Sequence, residues 1–183
     1  MKVIKFGGRS LANGAGLKQV LSVIESKIEQ KERFVVVLSA RGNSTDQLET
    51  LLDKAQQGLD YSADWTEFKK YQVEPFQKIN FKTEFSLLEN IFEGVKLLQD
   101  YSLKIKDLVL AQGEILSVKL VSELLKQRGI ENVAVDSRDF LRTDSEFGNG
   151  HILEQRSFKN TLTFFHDLPS KLIPSTTGCI ARN

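Results

Sequence analysis

Lys2-Val3-Ile4-Lys5-Phe6-Gly7-Gly8-Arg9-Ser10 alternates polar and apolar side chains before it runs into two glycines. The alternation and the β-forming residues read as a strand, and Gly7-Gly8 ends it at a tight corner. Ser10, Asn13 and Gly14 are loop or cap residues. Beyond them Leu17, Val20, Leu21, Ile24 and Ile28 recur at helical spacing, which predicts an amphipathic helix. Phe34-Val35-Val36-Val37-Leu38 is almost wholly apolar, the pattern of a strand buried on both faces of a parallel sheet. Strand, glycine corner, helix and strand make a βαβ unit, so the fold class is α/β with a mostly parallel sheet between helices.

The rest of the chain extends this unit. Arg41-Gly42-Asn43-Ser44 is a turn, and Ser44 or Thr45 is expected to cap a helix that carries Leu48, Leu51, Leu52 and Ala55 on one face. Residues 61–100 show no strand signal, while Phe85, Leu88, Phe92 and Val95 keep helical spacing; two or three helices are expected as an excursion between strands. Leu108-Val109-Leu110 reads as a return to the sheet, broken by Gly113, with a helix on Leu116, Leu120, Leu124 and Leu125 stopping near Gly129. Asn132–Val135 reads as a strand, residues 140–152 as a hairpin or loop, and Leu172-Ile173-Pro174 as a late strand. No linker or repeat divides residues 1–183, so a single domain is expected.

Composition narrows the functions. The 183 residues carry 25 Lys+Arg against 24 Asp+Glu, a net charge of +1 that argues against a nucleic-acid coat. One cysteine excludes an internal disulfide framework and a Cys-rich zinc site. No apolar run approaches a membrane span and the N-terminus does not read as a signal peptide, so a cytoplasmic protein without membrane partners is expected.

Ligands of open α/β sheets bind at the carboxyl ends of strands, where glycine corners expose backbone N–H groups. Three segments qualify on this reading: Lys5-Phe6-Gly7-Gly8-Arg9-Ser10, Ser39-Ala40-Arg41-Gly42-Asn43-Ser44-Thr45, and Gln112-Gly113-Glu114-Ile115-Leu116-Ser117. The first sets a lysine beside two peptides without Cβ atoms, which suits phosphate, although a plain βα corner with a solvated lysine has the same sequence. Ser39 equally well ends a strand, Thr45 caps a helix, and Glu114 is a first-turn carboxylate favoured by the helix dipole. Asp136, Asp144 and Glu146 read as solvated turn carboxylates, so no metal site is assigned. His151 and His166 lack ligand spacing, Cys179 reads as a small buried residue, and Phe81, Phe85 and Phe92 read as core.

Taken together, Lys5-Phe6-Gly7-Gly8-Arg9-Ser10, Val35-Val36-Val37-Leu38-Ser39-Ala40 with Thr45-Asp46, and Gly113-Glu114-Ile115-Leu116-Ser117 resemble the aspartate kinases of the amino acid kinase fold family. Asp136-Ser137-Arg138, Thr143-Asp144 and Thr177-Gly178-Cys179-Ile180 are similar to that family in order and spacing, so the resemblance covers essentially the whole chain. It implies ATP-dependent phosphorylation of the side-chain carboxylate of L-aspartate, the first step towards lysine, threonine and methionine, with Mg²⁺ held outside this chain and a homo-oligomeric parent. By the same resemblance Lys5 is catalytic and contacts phosphate, Gly7, Gly8 and Ser10 form the ATP phosphate loop, Ser39 and Thr45 contact aspartate, and Glu114 pairs with its ammonium group.

Four positions depart from the family pattern: Arg9 stands where threonine is usual, Asn43 where glycine is common, Val118 for alanine and Cys179 for phenylalanine. Arg9 is expected to add charge neutralisation beside the phosphate loop. The family's Gly-Arg-Gly-Gly-Ser-Asp segment does not follow Ile180, so the chain is expected to be the amino-terminal portion of the kinase domain, inactive alone, from a parent that is either a stand-alone kinase or, the form slightly favoured, fused to homoserine dehydrogenase. A glutamate or N-acetylglutamate kinase and a non-catalytic α/β module are the alternatives.

Overall fold

The computed structural model describes residues 1–178 and 180. Strand β1 (Lys2–Phe6) pairs in parallel with β2 (Phe34–Leu38), Val3 opposite Val35 and Phe6 opposite Leu38. Between them lie a one-turn helix α1 (Gly8–Leu11) and the long α2 (Gly14–Glu29), whose N-terminus is capped by the Asn13 side chain accepting the Gly16 N–H at 2.9 Å. Leu17, Val20, Leu21 and Ile24 are buried on one face of α2, as their spacing predicts.

After β2 come α3 (Ser44–Gln56), α4 (Ser62–Val73), α5 (Lys82–Leu98) and α6 (Leu103–Gln127). The excursion expected over 61–100 is therefore the pair α4 and α5. Its aromatic residues form core: Trp65 stacks on Phe68 and takes Phe85 and Phe92 edge-on, each pair with centroids 5.6 Å apart. The start of α3 differs in detail from expectation. Asn43 holds the cap position without a side-chain bond, and the Ser44 hydroxyl donates instead to the Arg41 carbonyl at 2.6 Å.

Leu108-Val109-Leu110 is not a strand but lies inside the 25-residue α6. Three apolar residues carry no period of their own, and the larger pattern is helical: Ser102 caps the Ile105 N–H, and Ile105, Val109, Leu116 and Leu120 turn one stripe inward. Gly113 does not break this helix. It lets α6 pass close to the segment after β2, since a Cβ there would stand 2.9 Å from the Ala40 Cβ. The segment containing Glu114 is thus mid-helix, neither a strand end nor a first turn.

β3 (Asn132–Val135) is followed by a short 3₁₀ turn, a hairpin closed by the antiparallel Thr143–Ile152 bridge, and α7 (Glu154–Asp167). β4 (Ile173–Thr177) lies between β2 and β3, giving the all-parallel order β1-β2-β4-β3. It runs further than expected because Ser175, Thr176 and Thr177, polar in sequence, are buried in the sheet. No helix among the described residues is long and apolar enough to cross a membrane.

Candidate active site

All four strands direct their carboxyl ends at one cavity of about 1280 Å³. Gly8 lines it beyond β1; Ser39, Ala40, Gly42 and Thr45 beyond β2; Asp136, Arg138 and Asp139 beyond β3; and Gly178 beyond β4. One face of α6 contributes Lys104, Asp107, Leu108, Ala111 and Glu114, and the 143–152 hairpin forms the remaining wall.

The corner after β1 and the loop after β2 are built as one piece. The Ser39 N–H donates to the Phe6 carbonyl at 3.2 Å and the Gly42 N–H to the Gly8 carbonyl at 3.0 Å, carrying the β1–β2 ladder into both loops. A Cβ on Gly8 would fall 2.6 Å from the Ala40 carbonyl oxygen, so this contact requires glycine. Gly7 differs: its φ is −79° and a Cβ there would meet nothing within 4 Å.

Glu114 is buried in the cavity wall, and its carboxylate accepts the Gly178 N–H at 2.8 Å, tying α6 to the end of β4. Beyond β3, the Arg138 Nε lies 3.0 Å from both Asp136 carboxylate oxygens and its Nη2 2.6 Å from one of them. That hydrogen bonding holds the guanidinium's pKa above its ordinary value. The buried Ser137 and Thr177 hydroxyls, 2.7 Å apart, join the ends of β3 and β4. In the hairpin, Asp144 accepts the His151 and Glu146 N–H groups at 3.1 and 3.2 Å, and the first of these leads in holding its carboxyl below the usual range. The His151 ring meets Asp144 at 3.2 Å, a proximity the sequence spacing does not show.

The structure therefore brings Gly8, Ser39, Thr45 and Glu114 to one cavity. Lys5, Gly7 and Ser10 flank Gly8 in the chain and are exposed, but do not line it. Arg9 is exposed on α1. Cys179 lies outside the described residues. Sequence reasoning passed over Arg41, fully buried behind the β2 loop, and the α6 residues Lys104 and Asp107. A helical reading of 103–127 places Lys104, Asp107, Ala111 and Glu114 on one face by their three- and four-residue steps. Nothing in the sequence signals the burial of Arg41.

A model of the amino acid kinase family matches residues 1–183. Aspartokinase 1, chloroplastic, of Arabidopsis thaliana is 29% identical over 192 residues, covering 98% of this chain and 33% of the relative. The bifunctional aspartokinase/homoserine dehydrogenase of Buchnera aphidicola is 32% identical over 142 residues, covering 70% of this chain and 17% of the relative. The chain thus spans at most a third of the length of either. Escherichia coli aspartokinase III, solved in complex with aspartate and ADP, superposes over 100% of this chain and 42% of its own with a TM-score of 0.79 at 23% identity, a likeness of fold.

Proposed function

Because the chain belongs to the amino acid kinase family, we propose that it forms the amino-terminal part of an ATP-dependent kinase that phosphorylates the side-chain carboxylate of L-aspartate. The observation that carries this reading is the convergence of Gly8, Ser39, Thr45 and Glu114, from three separate stretches of sequence, on one cavity at the carboxyl ends of parallel strands. Strand ends of this kind are where open α/β sheets take their ligands.

The charges divide the cavity. Its walls carry Asp107, Glu114, Asp136, Asp139, Asp144 and Glu146 against Lys104 and Arg138. Such a surface suits the ammonium group of an amino acid and repels a polyphosphate. Phosphates belong instead at the Gly7-Gly8 corner, where Lys5 and Arg9 supply positive charge. Glycine at position 7 is demanded neither by φ nor by a neighbouring atom, and a bare peptide there is what close approach of a phosphate requires.

The chemistry asks little of a base. The aspartate carboxylate, with a reference pKa of about 3.9, is already ionised at neutral pH. One of its oxygens attacks the terminal phosphorus, the bond to the bridging oxygen breaks, and ADP departs with the electron pair. The barrier lies in bringing two anions together, so the protein's task is neutralisation and alignment. Lys5 offsets charge on the phosphates, Ser39 and Thr45 hydrogen-bond the amino acid, and Glu114 receives its ammonium. The Asp144–Glu146–His151 set does not fit Mg²⁺: one donor is an imidazole nitrogen, and Asp144 is engaged in hydrogen bonds. No step is assigned to a metal held there.

The test is ADP release by the intact natural protein with ATP and aspartate, glutamate or N-acetylglutamate, the acyl phosphate being trapped with hydroxylamine. Aspartate alone should support turnover. Glu114→Gln should raise the KM for aspartate about tenfold or more, equivalent to roughly 1.4 kcal/mol, with the KM for ATP unchanged. Turnover with glutamate and none with aspartate would refute the substrate, and no ADP release with any acceptor would refute the kinase reading.

A further inference from the structure

Arg41 has no exposed surface, although a buried arginine is rare unless every donor is satisfied. Its guanidinium reaches two other parts of the chain, the end of α1 and the end of α4. Nε donates to the Leu11 carbonyl at 3.0 Å and Nη2 to the Ala12 carbonyl at 3.2 Å, both at the end of α1. Nη1 donates to the Tyr71 carbonyl in α4, and Nη2 also pairs with the Glu74 carboxylate at 3.0 Å. The plane lies over the Tyr71 ring with Cζ 3.9 Å from its centroid, and the Tyr71 hydroxyl donates to the Ala12 carbonyl at 2.7 Å.

This arrangement lies against the cavity without entering it. Ala40 and Gly42, on either side of Arg41, line the cavity, as does Gly8 at the start of α1. The side chain points away, to the carbonyls at the far end of α1, which a guanidinium fork satisfies better than a point charge does. α1 is therefore held at both ends by the β2 loop: Gly8 by the Gly42 N–H and Leu11–Ala12 by Arg41.

We propose that Arg41 is a positioning residue that fixes the Gly8–Ala12 corner against the Ser39–Thr45 loop, and so sets the distance between the phosphate-receiving corner and the amino-acid-receiving cavity beside it. It touches neither substrate. Corner and cavity each keep their own ligand contacts when Arg41 is lost, but not their mutual alignment. The effect therefore falls on the transfer step and leaves binding in place.

For its kinetic readout this inference rests on the kinase reading, so the experiment pairs kinetics with a measurement independent of turnover. In the intact natural protein, Arg41→Met should speed amide hydrogen exchange in residues 8–12 and 39–45 together while β1 and β2 stay protected. It should lower kcat by about 10- to 100-fold, with both KM values within about threefold of wild type. Arg41→Lys keeps the charge and loses the fork; it should still lower kcat by about tenfold at a folded fraction matched to wild type. Unchanged exchange in residues 8–12 would overturn the proposal, as would KM rising with kcat intact, or a loss that tracks the unfolded fraction alone. If the wild-type protein releases no ADP, the kinase reading fails, and the paired change in exchange by itself supports or refutes the positioning role.

Discussion

Gly42→Ala tests the construction behind the cavity quantitatively. Gly42 sits at φ +55°, and a Cβ there would lie 2.3 Å from the Tyr71 hydroxyl oxygen and 3.3 Å from its Cζ. Alanine in the left-handed region costs about 1 kcal/mol. The clash must also push the hydroxyl off the Ala12 carbonyl it meets at 2.7 Å, which forfeits about 1 kcal/mol. The expected total is about 2 kcal/mol, a fall in Tm of roughly 4–8 °C. Tyr71→Phe alone removes the same hydrogen bond for about 1 kcal/mol. In that background no oxygen meets the new methyl group, so Gly42→Ala should add only its backbone strain, about 1 kcal/mol. The double variant then loses about 2 kcal/mol where simple addition gives about 3, a coupling of about 1 kcal/mol. Urea unfolding of the four proteins measures each corner of this cycle. Strict additivity would show that the Tyr71 hydroxyl is not what Gly42 makes room for.

Two helical glycines should respond to alanine with opposite signs in the same unfolding assay. Gly94→Ala in α5 meets no atom within 4 Å and should gain up to about 1 kcal/mol of helix propensity, whereas Gly113→Ala in α6 should lose stability, because overpacking against Ala40 costs about 1–3 kcal/mol. Equal effects would refute the close approach at Gly113. The acid limb of unfolding, followed by the fluorescence of Trp65, the sole tryptophan, should depend on Glu89. The Trp65 indole N–H, which it accepts at 2.8 Å, and then the Lys69 ammonium hold its carboxyl below the ordinary value. A depressed folded-state pKa gives stability that is full above the unfolded value and is lost as pH falls through the folded one. The gap between wild type and Glu89→Gln should accordingly be widest near neutrality and close in acid; a gap that widens as pH falls would refute the pairing.

The βαβ start was legible because two independent periods met there: alternation before Gly7-Gly8 and helical spacing over Leu17–Ile28. Leu108-Val109-Leu110 misled because a three-residue apolar run fits either a buried strand or a buried helix. Only the longer stripe from Ile105 to Leu120 distinguishes them. β4 was cut short for the opposite reason. Its Ser175-Thr176-Thr177 end looks solvated, and burial there is imposed by neighbours on both sides of the sheet, which local sequence does not carry. α7 drew no expectation, although Phe158, Leu162 and Phe165 stand at helical steps; Phe158 and Leu162 are largely exposed, so little core marks the helix. At the cavity, the short motifs located Gly8, Ser39, Thr45 and Glu114. Arg41 was invisible because a cation in a turn reads as solvated, and its burial depends on Tyr71, thirty residues away.

The correction at α6 changes what holds the cavity together. On a loop after a strand, the Glu114 carboxylate would take its direction from local hydrogen bonds. On α6 it takes its direction from the core, because Leu116, Leu120, Val121 and Leu125 on the same helix are packed with at most 1% exposure. The helix is set on the sheet side by Gly113 against Ala40, and Ala40 adjoins both Ser39 and Arg41. Residues assigned to the amino acid, to the phosphate corner and to the core thus meet at a contact between one glycine and one alanine. A rigid helix crossing at that point keeps the Glu114 carboxylate and the Gly8 corner in fixed relation without either touching the other, as the proposed phosphoryl transfer between two anions demands.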